Sequence, residues 1–437
     1  MYSNSLTWAH PPRKRCWLVA FPVVIGAICG VTAAYFGWLG VLVILAVPLL
    51  IYWPVQTALG SFALLLPFDS VSSLGSEATG TALTRYVGGF AAVVLLVTGL
   101  MSRRISVPPR ESLWWTLFVA WGAATLGWAA NPQFVWDRMP TAFSLLAFYI
   151  IATGFRITRS EMSAVTVMTV LGAFLAAAFS IYQFHAGVVY EQTTRSSLMM
   201  GNRDTDPNQF GASLLLPLAL AIGATIQAQT KTLRLVAAAV TAVLSLAILQ
   251  SMSRGAMVGA AAAVLVYVFR MGWNRRIVLA LVAVSALLLF MPHSFFMRLG
   301  LSDRGAGRLD IWIASMYLLP HYGWFGAGWN NFIVAYTGIA GHAPSFRGYT
   351  RGSHSIYVGM LVEVGIVGLT FLLLAFGSQL RKAGLRKLIP YEAAGWAMIV
   401  MGFTLDIVWR KSFWFAWILL AMAVRLENEN QAQEATA

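Results

Sequence analysis

The chain has 437 residues, of which 59% are hydrophobic and only 11% charged. A soluble domain carries roughly 45–50% apolar and about 25% charged residues, so that class is excluded. Its 30 Lys and Arg outnumber 16 Asp and Glu, but the excess sits in short loops between apolar runs, which points to membrane topology rather than nucleic acid. The composition therefore predicts an all-α, polytopic integral membrane protein in contact with membrane lipids.

A spanning helix needs about 20 apolar residues, within a range of roughly 17–25. Candidate spans are 17–35, 38–53, 55–68, 83–101, 112–130, 141–156, 163–186, 208–228, 232–250, 254–270, 276–292, 355–378, 391–408 and 412–425. Spans 38–53, 55–68 and 412–425 are short, so twelve to fourteen transmembrane helices are expected. The N-terminal basic flank and apolar run resemble a signal peptide without a small-residue cleavage site, and read as a retained first span. Cys16 and Cys29 fall on that helix, roughly 20 Å apart and too far for a disulfide; they read as packing residues.

Loop charge sets the orientation. Arg13–Arg15, Arg103, Arg104, Arg110, Arg156, Arg159, Lys231, Arg234, Arg270, Arg275, Arg276, Arg381, Lys382, Arg386 and Lys387 share one side. The other side has far fewer, such as Arg85 and Arg138. The first side is cytoplasmic by the positive-inside rule. Both termini then lie inside, and the loops 187–207 and 293–354 lie outside. The expected organisation is a bundle over 1–292, a large external loop over 293–354, C-terminal spans over 355–425 and a disordered tail over 426–437.

Several residues of the external side could carry chemistry. Asp206 and Pro207 form a helix-start signal, with Asp206 as the cap and Pro207 in the first turn. Arg195 and Arg203, just before it, read either as solvated charges or as ligands facing the same compartment as the large loop. Arg254, in SMSRGAMVG, starts a span. A cation at the positive end of a helix is mildly unfavourable, by about 0.3–1 kcal/mol. It therefore either reaches lipid headgroups or pairs with an anion such as a phosphate. In the large loop a helix is expected from about Gly307 to Leu319, stopped by Pro320. Arg308 and Trp312 lie four residues apart on it, where the indole can support the guanidinium; an amphipathic helix resting on the membrane would read the same way. Gly323, Gly326 and Gly328 allow tight turns or close chain approach; no strand precedes them to make a nucleotide site.

The segment 293–354 holds four of the six histidines: His293, His321, His342 and His354. His354 opens a span that Ser353 or Ser355 can cap. The dipole at a helix N-terminus disfavours the imidazolium, and a neutral imidazole at the surface can serve as a general base or simply as an interfacial residue. Glu363 and Asp406 are acids within apolar stretches. Such acids are costly and so either functional or paired with a buried polar group.

Taken together, SMSRGAMVG, DPNQFG, GRLDIW followed by GAG, and GSHSIYVGMLVEVGIVGL resemble the O-antigen ligase family, whose superfamily includes O-antigen polymerases and protein O-oligosaccharyltransferases. The resemblance covers residues 195–378. It implies an inner-membrane glycosyltransferase whose active site faces the periplasm. Glycan would move from undecaprenyl diphosphate to a lipid A-core acceptor by inverting transfer, with no metal or cofactor. His354 matches the base. Arg195 or Arg203, Arg254 and Arg308 match the positions that hold the diphosphate. Trp312, Asn208 and Glu363 stand as supporting residues. Ser355 follows His354 where many relatives carry Asn, a departure that bears on the acceptor. A polymerase or a protein O-oligosaccharyltransferase would share this chemistry, but the second external loop is short for a polymerase. A lipid-linked glycan transporter would need more polar groups along its spans.

Overall fold

The computed structural model describes residues 49–74, 81–193, 195–271, 307–339, 342 and 352–435. Spans 17–35 and 276–292, most of 38–53, Cys16, Cys29 and His293 lie outside these residues. The chain divides into units 1–57 and 58–437. In the first, the described residues are the helical turns leading into α1 (Pro54–Leu65). Everything below concerns the second unit.

Helix dominates the second unit. After a 3-10 turn at Leu66–Phe68 come α2 (Leu83–Met101), α3 (Ser112–Ala124), α4 (Pro132–Gly154), α5 (Arg159–His185), α6 (Pro207–Ser213), α7 (Leu215–Gln227), α8 (Lys231–Gln250) and α9 (Arg254–Met271). Then follow α10 (Arg308–Met316), α11 (Leu319–Tyr322), α12 (Phe332–Thr337), α13 (Ile356–Glu363), α14 (Gly365–Leu385), α15 (Ile389–Gly402) and α16 (Lys411–Glu434). The described strands form two short antiparallel hairpins, β1 (Ser73–Leu74) with β2 (Thr81–Ala82) and β3 (Met199–Met200) with β4 (Arg203–Asp204). Six described helical stretches are long and apolar enough to cross a membrane: α2, α5, α6 with α7, α8, α9 and α14. The expected all-α polytopic class holds.

Helix boundaries differ from the expected spans where local chemistry intervenes. α4 starts at Pro132, well before the expected 141, because Asn131 accepts a hydrogen bond from the Gln133 N–H and Pro132 sits in the first turn. Pro140 lies inside that helix. The expected single span 355–378 is two helices, α13 and α14, broken at Gly365, whose φ is +66°. Pro320 does not end a helix; it sits in the first turn of α11, where a missing N–H costs nothing. Residues 426–434 are helical rather than disordered. The i,i+4 pairs Arg425–Glu429 and Glu427–Gln431 run along α16, and Arg386 donates to Gln431.

The core is aromatic. Trp115 on α3 packs among Tyr149, Phe376, Phe413, Trp414 and Trp417, and is itself fully buried. α15 packs along α9 and α7, α14 along α3, α5 along α8, and α16 along α4. At one end of the bundle, Arg104 pairs with Glu161 and Lys382 with Glu111. The opposite end gathers the two hairpins, the start of α9 and the segment carrying α10 to α13.

Candidate functional site

α10 to α12 are fastened to the bundle through backbone. The N–H of Ala327 donates to the Val362 carbonyl at 2.8 Å and that of Gly328 to the Glu363 carbonyl at 2.9 Å. Ile366 N–H returns a bond to Gly323 O at 2.8 Å. A side chain on Gly326 would put its Cβ 2.2 Å from the Glu363 carbonyl oxygen, and one on Gly365 would lie 2.2 Å from that of Trp324. The GAG motif is thus a close backbone approach, with Gly326 at φ +84°. On its other side Ala130 N–H donates to the Ala327 carbonyl. Asn131 N–H donates to Asn331 Oδ1.

This docking fixes His354. It lies between the buried Ser353 and Ser355, is itself half-buried, and adopts φ +49°. Ser355 caps α13 by accepting from the Val358 N–H, one of the two caps anticipated. Ser353 Oγ accepts from the Ser355 N–H and donates to its carbonyl. Trp312, on the α10 packed beside α13, donates from its indole nitrogen to the Ser353 carbonyl at 3.0 Å. The indole therefore braces the residue before the histidine.

A second cluster forms at the start of α9. Ser253 Oγ accepts from the Ala256 N–H and caps the helix, leaving Arg254 as its first residue. Arg195 is buried, and donates from Nε to Ser251 O and from Nη2 to Asn208 Oδ1, both at 3.0 Å. Asp206 caps α6 by accepting from the Asn208 and Gln209 N–H groups, as its sequence signal indicated. Arg195, Asn208 and the turn before Arg254 thus form one knot. Arg203 lies on β4, opposite Met200 in the hairpin.

The end of α15 joins the two clusters. The Cβ position of Gly255 meets Thr404 and Met401, while that of Gly402 meets Ile356 and Tyr357. Tyr357 also donates to the Ile399 carbonyl at 2.7 Å. Arg254 and His354 are therefore next to residues that pack on one helix end. Arg308 begins α10, one turn before Trp312.

Glu363 belongs elsewhere. It is buried at the far end of α13, just outside the α14 span, and accepts from the Asn330 N–H at 3.0 Å and the Phe332 N–H at 3.4 Å. Burial, with Asp406 adding to it, pushes its carboxyl up to about 8, against those N–H groups and Arg138. Burial likewise raises Asp406 to about 6, opposed by the Val408 N–H, Arg138 and Arg410. Arg138 donates to Asn330 Oδ1 and lies over the Trp409 ring, 4.9 Å from its centroid. Arg138 and Arg410 were not anticipated as members of this network. The available signal was an arginine inside the apolar stretch of α4.

Residues 237–373 match the model of a family described as O-Antigen ligase. The match runs from α8 into α14 and includes Arg254, Arg308, Trp312, His354 and Glu363, while Arg195, Arg203 and Asn208 precede it. No curated protein matches the chain.

Proposed function

We propose that this chain, a member of the O-antigen ligase family over residues 237–373, transfers a glycan from undecaprenyl diphosphate to a lipid A-core acceptor. In this reading it sits in a bacterial inner membrane, with both termini cytoplasmic and the His354 end facing the periplasm. The observation that supports it best is the packing of the His354 and Arg254 segments against one end of α15, beside the Arg195–Asn208 knot.

The chemistry follows from those groups. The His354 imidazole takes the proton of an acceptor hydroxyl. The freed oxygen forms a bond to the anomeric carbon from the face opposite the diphosphate, and the carbon–oxygen bond to phosphate breaks. The lipid diphosphate leaves carrying the electron pair. Negative charge grows on it, and guanidinium groups already in place stabilise that growth without reorganisation. Arg195 and Arg254 take this role, Arg308 contributes from α10, and Arg203 is the alternative donor on the 187–207 loop. No step in this scheme uses a metal.

The test is incubation of the purified full chain with a lipid-linked glycan and, separately, lipid A-core, a growing glycan and an acceptor protein, followed by product identification. Glycan on lipid A-core alone supports a ligase. Product only on glycan or protein moves the chain to the polymerase or protein-transferase branch. No product with any acceptor rejects the glycosyl-transfer reading.

A further inference from the structure

A small cleft lies at the His354 end of the bundle, between the turn at Leu66–Ser70, α6 and the connection from α15 to α16. Its polar wall is formed by Asp69, Thr205, Gln209, Arg410 and Ser412, and its floor by Met398 and Ile407. The cavity measures about 20 Å³, room for a single water or hydroxyl group.

Two side chains in that wall lack hydrogen-bond partners among the described residues. Thr205 is 4% exposed, and its hydroxyl makes no hydrogen bond among the described residues. Arg410 is half-buried, and its guanidinium makes no hydrogen bond or ion pair with any described residue, although its backbone is bonded. The neighbouring cation is already engaged: Lys411 donates to Asp69 and Thr84. Partly desolvated donors without acceptors are costly, and a ligand that supplies the acceptor offsets that cost.

The charge around Arg410 selects the ligand class. Asp69, Asp206 and Asp406 face it, with Arg138 adding one further cation. Asp69 is paired with Lys411, and with Arg138 and Arg410 the three carboxylates are matched by three cations, so a charged ligand of either sign would upset that balance. A neutral hydroxyl suits the wall better, because it accepts from Arg410 and donates to Thr205 Oγ1 or a carboxylate.

Position connects the cleft to the arginine knot. Asn208 on α6 holds Arg195, and the next residue, Gln209, lines the cleft. We propose that this cleft is a sugar subsite that receives a ring hydroxyl of a neutral hexose beside the diphosphate grip. The proposal deepens the glycosyl-transfer reading and rests on it for the identity of the sugar as part of the donor glycan.

Its test needs no lipid-linked donor, so it fails or succeeds separately from the transfer assay. A thiol is introduced by Ser412→Cys in the full chain carrying Cys16→Ser and Cys29→Ser, and the protein is reconstituted in liposomes. Maleimide labelling is timed with methyl glycosides of glucose, galactose, mannose and N-acetylglucosamine, and with inorganic phosphate, each at about 100 mM so that millimolar affinities register. At least one glycoside should slow labelling by about threefold or more, with phosphate without effect. Thr205→Val and Arg410→Gln should each abolish that protection while keeping the unprotected labelling rate. Protection by phosphate alone, no protection by any glycoside, or protection that survives both substitutions overturns the proposal. Protection together with a failed transfer assay would keep the sugar site and remove the transferase reading.

Discussion

The Trp312 indole nitrogen donates to the Ser353 carbonyl at 3.0 Å, across 41 residues of sequence. That bond ties α10 to the turn immediately before His354. A hydrogen bond of this kind is worth about 0.5–1.5 kcal/mol, but an imidazole displaced by a fraction of an ångström costs more in rate than in stability. Trp312→Phe keeps the ring and deletes the donor. In the transfer assay kcat should fall by about tenfold, with KM nearly unchanged and the pH profile in place. A change confined to KM would mean that Trp312 contacts substrate rather than bracing the base.

His354 has φ +49°, a conformation that Gly and Asn adopt easily and β-branched residues do not. This separates folding from chemistry at one position. His354→Asn and His354→Gly should melt within a few degrees of the parent and transfer no glycan, whereas His354→Val should lose about 1–2 kcal/mol of stability. Transfer by the Asn variant at the parental rate would remove the histidine from the role of base.

How much of this was legible depended on whether the signal was local. The α2 span is bounded in sequence at Leu83 and Met101, and the structure keeps those ends. The Asp206 cap and the serine cap of α13 also came from neighbouring residues. The α13–α14 break did not. A continuous apolar run with a glycine in it reads as one helix, and the reason for the break is the Trp324 backbone, about forty residues earlier in the chain. Glu363 reads as a costly acid from its apolar surroundings alone, but its partners, the Asn330 and Phe332 N–H groups, come from a separate segment. Arg410 carries no distinguishing signal in the sequence, because interfacial arginines near a tryptophan are ordinary in membrane proteins.

The GAG contact yields a prediction about local stability. Gly326→Ala places a methyl group 2.2 Å from the Glu363 carbonyl oxygen at a left-handed backbone position. The strain, of the order of 1–3 kcal/mol or more, falls on the docking of α10 to α12 rather than on the bundle. Hydrogen exchange should quicken over 308–337 and stay slow over 365–385, with transfer lost. Uniformly faster exchange would show that the segment and the bundle unfold as one unit.

Arg195 and Arg254 should respond differently to lysine. Arg195 uses Nε and Nη2 on Ser251 and Asn208, a fork that a single ammonium cannot reproduce. Arg195→Lys should lower the melting temperature and weaken undecaprenyl diphosphate binding together, the stability loss being about 1–3 kcal/mol. Arg254→Lys should weaken binding by about tenfold with little thermal change. Unchanged affinity in both would assign these arginines to folding or to lipid headgroups.

Glu363 gives the chain a pH dependence of definite sign. Its carboxyl is raised from 4.5 to about 8, first by burial and then by Asp406, with Arg138 and two N–H groups opposing. Between these values the folded chain holds a proton that the unfolded chain has released, so stability falls as pH rises through that window. Asp406, raised from 3.8 to about 6, adds the same trend at its lower end, with Arg138 and Arg410 the cations that limit it. The melting temperature in detergent should therefore decline from about pH 5 to about pH 8. Glu363→Gln stays neutral throughout, so its decline should be shallower and its melting temperature at the upper end should exceed that of the parent. A parent that becomes more stable toward pH 8, or a Gln variant with an undiminished slope, would mean that Glu363 is ionised in the fold and paired with Arg138.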